Sequence, residues 1–289
     1  MTYSNAPTSR IKNILFPTDF SEASRNALKY AVDMAEHVGA RVLMLHVYHE
    51  IPVAEGVAPA GFLQKLSSQK EERALAHFHQ YENEIYSSLS ENVELVPMIE
   101  SGRAFETILS VAEREAVDMI VMGTKGAASM AHKIFGSLTT RVIEASECPV
   151  LAVPEGVSFQ PIRHILYASN FEEADFVVLD QLLDYADLFG ATLSCAHVYA
   201  GEEYWNQLDR SFFERLYQLE SQNEQLKFYT FNHRDVVHGL HRFICANKVD
   251  MLAMLTHRRE AIHQVLEESL TREMTLHTDV PLLAFHDAS

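Results

Sequence analysis

The chain has 289 residues, 47% of them apolar, and its 40 Asp+Glu against 23 Lys+Arg give a formal charge of -17. That is material for one large domain or two ordinary ones, and the charge repels phosphate backbones and anionic lipid headgroups, which argues against nucleic acid or a membrane as partner. Three scattered cysteines (Cys148, Cys195, Cys245) suit neither a disulfide framework nor a tetrahedral zinc site, no apolar run approaches the ~20 residues of a membrane span, and the opening MTYSNAPTSR lacks an apolar leader, so a cytoplasmic protein is expected.

In chain order, Asn13 to Pro17 is a short apolar run fit for a buried strand. Ser21 to Val38 carries Ala27, Ala31, Met34, Ala35 and Val38 at helical spacing, and Gly39 is placed to end that helix. Arg41 to Tyr48 reads as strand, and LQKLSSQKEERALAHFHQYENEIYSSL as a long amphipathic helix. Val93 to Glu100 is expected as strand, Phe105 to Glu115 as helix and Met119 to Met122 as strand. Leu138 to Ala145 is then expected as helix and Val150 to Pro154 as strand. Five strands alternating with four helices predict an α/β fold with a parallel, doubly wound sheet.

The chain then repeats itself. Ile11 to Tyr48 aligns without a gap on Ile162 to Tyr199, with 14 of 38 positions identical, where ordinary residue usage gives about two or three. Val117 to Val153 aligns likewise on Val249 to Phe285, sharing Val-Asp-Met, Ser-Leu-Thr (137–139 and 269–271) and Pro149 with Pro281. Two tandem copies are expected, residues 1–156 and 157–289, joined near PEGVSFQP (Pro154 to Pro161).

In such a sheet, ligands bind beyond the carboxyl ends of the strands, where the strand order reverses. Two loops of the first copy fall there. One is Pro17-Thr18-Asp19-Phe20. The other opens Gly123-Thr124-Lys125-Gly126 and ends at Gly136-Ser137, a Gly-x2-Gly-x9-Gly-Ser element. Glycines let backbone N–H groups approach an anion without a Cβ in the way, and a helix start favours negative charge. Ser137 and Thr139 add hydroxyls, and Lys125 a cation. The spacing is neither a Walker A loop nor a Gly-x-Gly-x-x-Gly fingerprint.

The segments ILFPTDFSEAS, VMGTKGAASMAHKIFGSLTTRVI and CPVLAVP resemble the universal stress protein family, in its tandem two-domain form. The resemblance implies two Rossmann-like, five-stranded parallel sheets of order 3-2-1-4-5, which brings strands one and four side by side. It also implies ATP as ligand, with a divalent ion such as Mg2+ held by phosphates and water and no metal ligands on the protein. By position, Asp19 would hold the nucleoside end with Pro17 and Thr18 beside it, and Val47 would line the adenine pocket. Met122 and Gly123 would pack near the sugar, and Gly126, Gly136, Ser137, Leu138 and Thr139 would wrap the phosphates. Lys125 stands at a variable place, and Asp19 has an alternative role as cap of the following helix.

The second copy departs at each of these places. Asn170 replaces Asp19, Ala168 replaces Pro17, and Leu255, Arg258 and Glu268 stand where the three glycines were. Nucleotide is therefore expected in the first copy only, as a conformational signal for an unknown protein partner. Two alternatives stay open. No general base falls near a γ-phosphate, so no catalytic residue is assigned, yet slow ATP hydrolysis is not ruled against. A nucleotide-independent scaffold is the other, with a different ligand in the second copy. The apolar strands Val150 to Val153 and Leu282 to Phe285 could pair within the tandem as a pseudo-dimer, or across chains as a homodimer.

Other constellations read as structural. His233, His238 and His241 lack a convincing further metal ligand. His46 and His197, at equivalent places, suit buried hydrogen-bonded roles. Cys148 has no nucleophile's partner. Tyr204, Trp205, Phe212, Phe213 and Tyr217 suit core packing.

Overall fold

The computed structural model of the chain describes residues 11–48, 60–86, 92–124, 137–199, 210–257 and 280–287. The first half runs β1 (Asn13–Pro17), α1 (Glu22–Val38), β2 (Arg41–Tyr48), α2 (Ala60–Tyr86), β3 (Leu95–Ser101), α3 (Ala104–Arg114), β4 (Met119–Gly123), α4 (Ser137–Ile143) and β5 (Val150–Val153). The second runs β6 (His164–Ala168), α5 (Asp175–Phe189), β7 (Thr192–Tyr199), α6 (Arg210–Gln222), β8 (Leu226–Asn232), α7 (Val236–Asn247), β9 (Met251–His257) and β10 (Leu282–Asp287). No described helix is long and apolar enough to cross a membrane.

Local chemistry sets these boundaries. The Ser21 side chain accepts from the Ser24 N–H at the head of α1, satisfying one of the unpaired donors of a helix start. Gly39 closes the helix in the left-handed region, at φ 72, and its N–H returns to the Ala35 carbonyl. Gly190 repeats this at the end of α5, at φ 65. A Cβ would strain either position.

The strands are apolar on both faces, as parallel strands covered by helices must be. Alternation divides them into two layers. Ile14, Phe16, Val42, Met44, Met119 and Val121 belong to one, and Leu15, Leu43, Leu45, Ile120 and Met122 to the other. Each layer takes residues from both halves of the chain, so the core runs unbroken from one half to the other. Two carboxylates staple the amino ends of the central strands. Asp118 Oδ2 accepts from the Lys12 and Asn13 N–H groups at 2.8 Å each. Asp250 Oδ2 does the same for Arg163 and His164, at 2.8 and 2.9 Å.

The strand order is β3-β2-β1-β4-β5-β10-β9-β6-β7-β8. Each half has the expected 3-2-1-4-5 order, but the two five-stranded sheets fuse into one of ten strands. The joint is antiparallel, with Leu282 opposite Ala152, Leu283 opposite Leu151 and Ala284 opposite Val150. This is the within-chain pairing foreseen for the terminal strands, and it uses up those two edges. Because the joint is antiparallel, the carboxyl ends of β1–β5 and of β6–β10 point to opposite sides of the sheet.

The connection between the halves is clamped on α1. Asn26 Nδ2 donates to the carbonyls of Pro154 and Val157, at 3.3 and 3.1 Å. The Phe159 ring meets Tyr30 edge-on at 5.3 Å and lies 5.9 Å from His37.

Candidate functional site

At the end of β1 the chain makes a tight turn into α1. Pro17 is half-buried and closes the strand. Thr18 is buried, its N–H donates to the Leu45 carbonyl at 2.8 Å, and its hydroxyl pairs with that of Ser24 at 2.8 Å. The same hydroxyl accepts from the Phe20 N–H at 3.0 Å. Phe20 adopts φ 62, a left-handed conformation costly for a residue with a Cβ. Asp19, between them, is exposed, and its Oδ1 accepts from the Ser21 N–H at 3.0 Å. The cap of α1 is Ser21, not Asp19. The alternative role for Asp19 as helix cap is therefore taken by its neighbour.

Rings surround this turn. Phe20 lies 4.6 Å from His46, 5.0 Å from His77 and 5.1 Å from the buried Phe78. His46 Nδ1 lies 2.9 Å from the Thr18 carbonyl; a carbonyl can only accept, so Nδ1 carries the proton. His46 is half-buried rather than buried, but is hydrogen-bonded as expected. Val47 follows it at the end of β2, half-buried against the second core layer.

β1 lies between β2 and β4, so the ends of all three strands open on one side. Met122 is buried and Gly123 half-buried at the end of β4. Thr124 follows, its N–H and hydroxyl both directed at the Val153 carbonyl. Thr139 in α4 is buried, and its hydroxyl donates to the Gly123 carbonyl at 3.2 Å. It thus ties α4 to the end of β4, a positioning role the sequence did not reveal. Leu138 is half-buried against the second layer, and Ser137 opens α4. Lys125, Gly126 and Gly136 lie outside the described residues.

The second half rebuilds the same turn with other chemistry. Ser169 takes the place of Thr18, and Phe171 that of Phe20, at φ 61. His197 Nδ1 donates to the Ser169 carbonyl at 2.7 Å and its ring stacks on Phe171 at 4.8 Å. Where the first half has Ser24, the second has Asp175, 2% exposed. Its carboxylate accepts from the Tyr167 hydroxyl, from Ser169 Oγ at 2.6 Å and from the Glu172 N–H at 2.8 Å. Burial, and then the Asp175 charge, push the Tyr167 phenol far above its ordinary range. Burial pulls the His197 imidazole down. The cluster is not evident from sequence, although Phe16 to Tyr167 and Ser24 to Asp175 are paired replacements in the repeat. Arg258 and Glu268 lie outside the described residues, and Leu255 packs against the core at the end of β9.

His238 Nδ1 pairs with Asp235 Oδ2 at 2.7 Å, and His241 lies 3.8 Å from Cys245 Sγ. Among the described residues no group of three or more His, Cys, Asp or Glu converges as a metal site. Burial pushes the Cys148 thiol up, which suppresses the nucleophilic thiolate. It lines a groove of about 560 Å³ at the amino edge of β4 and β5, away from the turn. Phe212 packs in the core, but Tyr217 is 75% exposed, against the expectation of a wholly buried aromatic group. Tyr204 and Trp205 lie outside the described residues.

The model of the family described as universal stress protein matches residues 10–154, half of the chain. A universal stress protein of Methanocaldococcus jannaschii is 30% identical over 158 residues, covering 49% of this chain and 94% of the relative. One from Thermus aquaticus is 31% identical over 144 residues, covering 49% of this chain and 98% of the relative. The crystal structure of a universal stress protein from Archaeoglobus fulgidus superposes with a TM-score of 0.65 at 17% identity, covering 96% of this chain and 97% of that one. That likeness shows the fold, over both halves.

Proposed function

The chain belongs to the universal stress protein family, and from that premise we propose that it binds ATP in the crevice of its first half and uses occupancy as a conformational signal to a protein partner. The observation that carries the reading is the Asp19 carboxylate. It stands exposed at the switch point between β1 and β4, released from helix capping by Ser21. Pro17, Thr18 and Val47 flank it at strand ends on the same side, and Met122 and Gly123 close the neighbouring end of β4. The Gly-x2-Gly-x9-Gly-Ser segment begins at Gly123 and supplies the peptide donors and small residues that a phosphate chain needs. ATP would sit with its nucleoside end toward Asp19 and its phosphates toward Gly126, Gly136, Ser137, Leu138 and the peptide of Thr139, whose hydroxyl is given to the Gly123 carbonyl. Lys125 would offer a cation, and Mg2+ would be held by phosphates and water.

Under this reading, residues 1–156 form the nucleotide-binding domain and residues 157–289 a second domain of the same descent that takes no nucleotide. Asn170, Leu255, Arg258 and Glu268 remove the acidic anchor and the glycines. The sequence of the phosphate loop offers no general base at a water-positioning place, so binding is the role proposed, with slow ATP hydrolysis as the alternative.

Calorimetry of the whole chain with ATP should give about one site per chain. Gly136→Glu, which copies the second half into the first, should abolish the heat, since a carboxylate would face the phosphates. Undiminished binding in that variant, or two sites per chain, overturns the assignment.

A further inference from the structure

We propose that His46 is a positioning residue for the nucleoside end of the crevice, acting on Asp19 through the Thr18 carbonyl. The proposal rests on the nucleotide reading above. The Thr18 carbonyl and the Asp19 N–H belong to one peptide plane, so whatever fixes the carbonyl fixes the entry to Asp19. The Thr18 N–H is held by the Leu45 carbonyl, and the carbonyl by His46 Nδ1 at 2.9 Å. On the far side of Asp19, Phe20 sits at φ 62, a left-handed conformation that reverts unless its surroundings hold it. The His46 ring, 4.6 Å from that of Phe20, is part of those surroundings. One imidazole therefore touches both residues that flank Asp19, whose carboxylate, held at Oδ1 by the Ser21 N–H, is exposed to a ligand.

The second half isolates what this device does. His197 bonds the Ser169 carbonyl at 2.7 Å and stacks on Phe171 at φ 61, yet Asn170 stands between them. The imidazole thus serves the turn whether or not an acid is present. Its consequence for a ligand exists only in the first half, through Asp19. His197 is the internal control that a general packing role would not distinguish.

The test is calorimetry with ATP on the full chain, comparing wild type with His46→Leu, His46→Asn and His197→Leu. Leucine lacks the donor, and affinity should fall about tenfold or more, the scale of a misplaced charge-bearing contact. Asparagine can place its amide N–H near the position of Nδ1, so His46→Asn should stay within about threefold of wild type. His197→Leu should leave affinity unchanged, although it removes the same bond elsewhere. If His46→Leu does not fold, His46→Val is read in its place with the same thresholds. Wild-type affinity in the leucine or valine variant overturns the proposal. So does equal weakening by His197→Leu, or failure of asparagine to rescue. Absence of ATP binding in the wild type overturns the nucleotide reading itself, a separate outcome.

Discussion

The turns after β1 and after β6 have one backbone and two interiors. Both pass through a left-handed phenylalanine, Phe20 and Phe171, and both are tied to the neighbouring strand by a histidine on the carbonyl two residues before it. Beneath the first turn lies a neutral pair of hydroxyls, Thr18 and Ser24. Beneath the second lies the Asp175 carboxylate, held by Tyr167, Ser169 and the Glu172 N–H. The outward residue changes in the opposite sense, acidic Asp19 in the first and neutral Asn170 in the second. The acid has moved from the surface of the turn to its interior. The difference teaches that one loop conformation can turn a charge out to solvent or bury a charge for its own support.

The largest effect should come from breaking the interior of the second turn. Asp175→Ala leaves the Tyr167 and Ser169 hydroxyls buried without their acceptor and should cost about 3 kcal/mol or more. Ser24→Ala, which removes a neutral bond, should cost about 1 kcal/mol. Urea denaturation followed by circular dichroism measures both, and equal costs would erase the contrast. Neither cost should be relieved by ATP if it arises from the turn alone.

Next in size is the outward residue. Asp19→Ala should weaken ATP binding about tenfold, near 1.4 kcal/mol, with stability unchanged to about 0.5 kcal/mol because the side chain is exposed. Asn170→Ala should leave ATP affinity as it was. Fluorescence titration with a labelled adenine nucleotide reads both variants, and a loss of similar size in Asn170→Ala would show that the halves are not functionally distinct.

The smallest effect is one of pH. Burial depresses the His197 imidazole in the folded protein, whereas in the unfolded chain it titrates near 6.5. As the pH falls through that value, the unfolded state takes up a proton that the folded state refuses, so stability declines. It is fully present above the unfolded value and lost toward the folded one. His197→Asn should flatten this part of the stability profile between pH 7 and 5, measured by denaturant midpoints. An unchanged slope would mean that His197 is not a source of it.

Much of the fold was legible because its signals are local. β1 and β2 fall at the residues their apolar runs marked, and Gly39 ends α1 as its freedom from a Cβ allows. The repeat also foretold the same strand order in both halves, because equal patterns of burial fold equally. The shared Val-Asp-Met was visible too, though not its meaning. Asp118 and Asp250 staple strand ends that are more than eighty residues distant in sequence. Of the candidate crevice, Pro17, Thr18, Val47 and Met122 stand at strand ends where the sequence put them. The competition between Asp19 and Ser21 for the helix cap was not legible, because both residue types suit it and only the turn geometry selects one.

By itself, then, the sequence determined the elements, their order and the duplication, since periodicity and helix stops act within a few residues. Tertiary structure alone decided what meets across distance. It joined β5 to β10 antiparallel, so that the two halves face opposite ways. It brought His46 onto the Thr18 carbonyl and drew Asp175 beneath Tyr167. Such contacts depend on which buried donors and acceptors are brought face to face, and one polar residue has many partners in sequence but one in the folded interior.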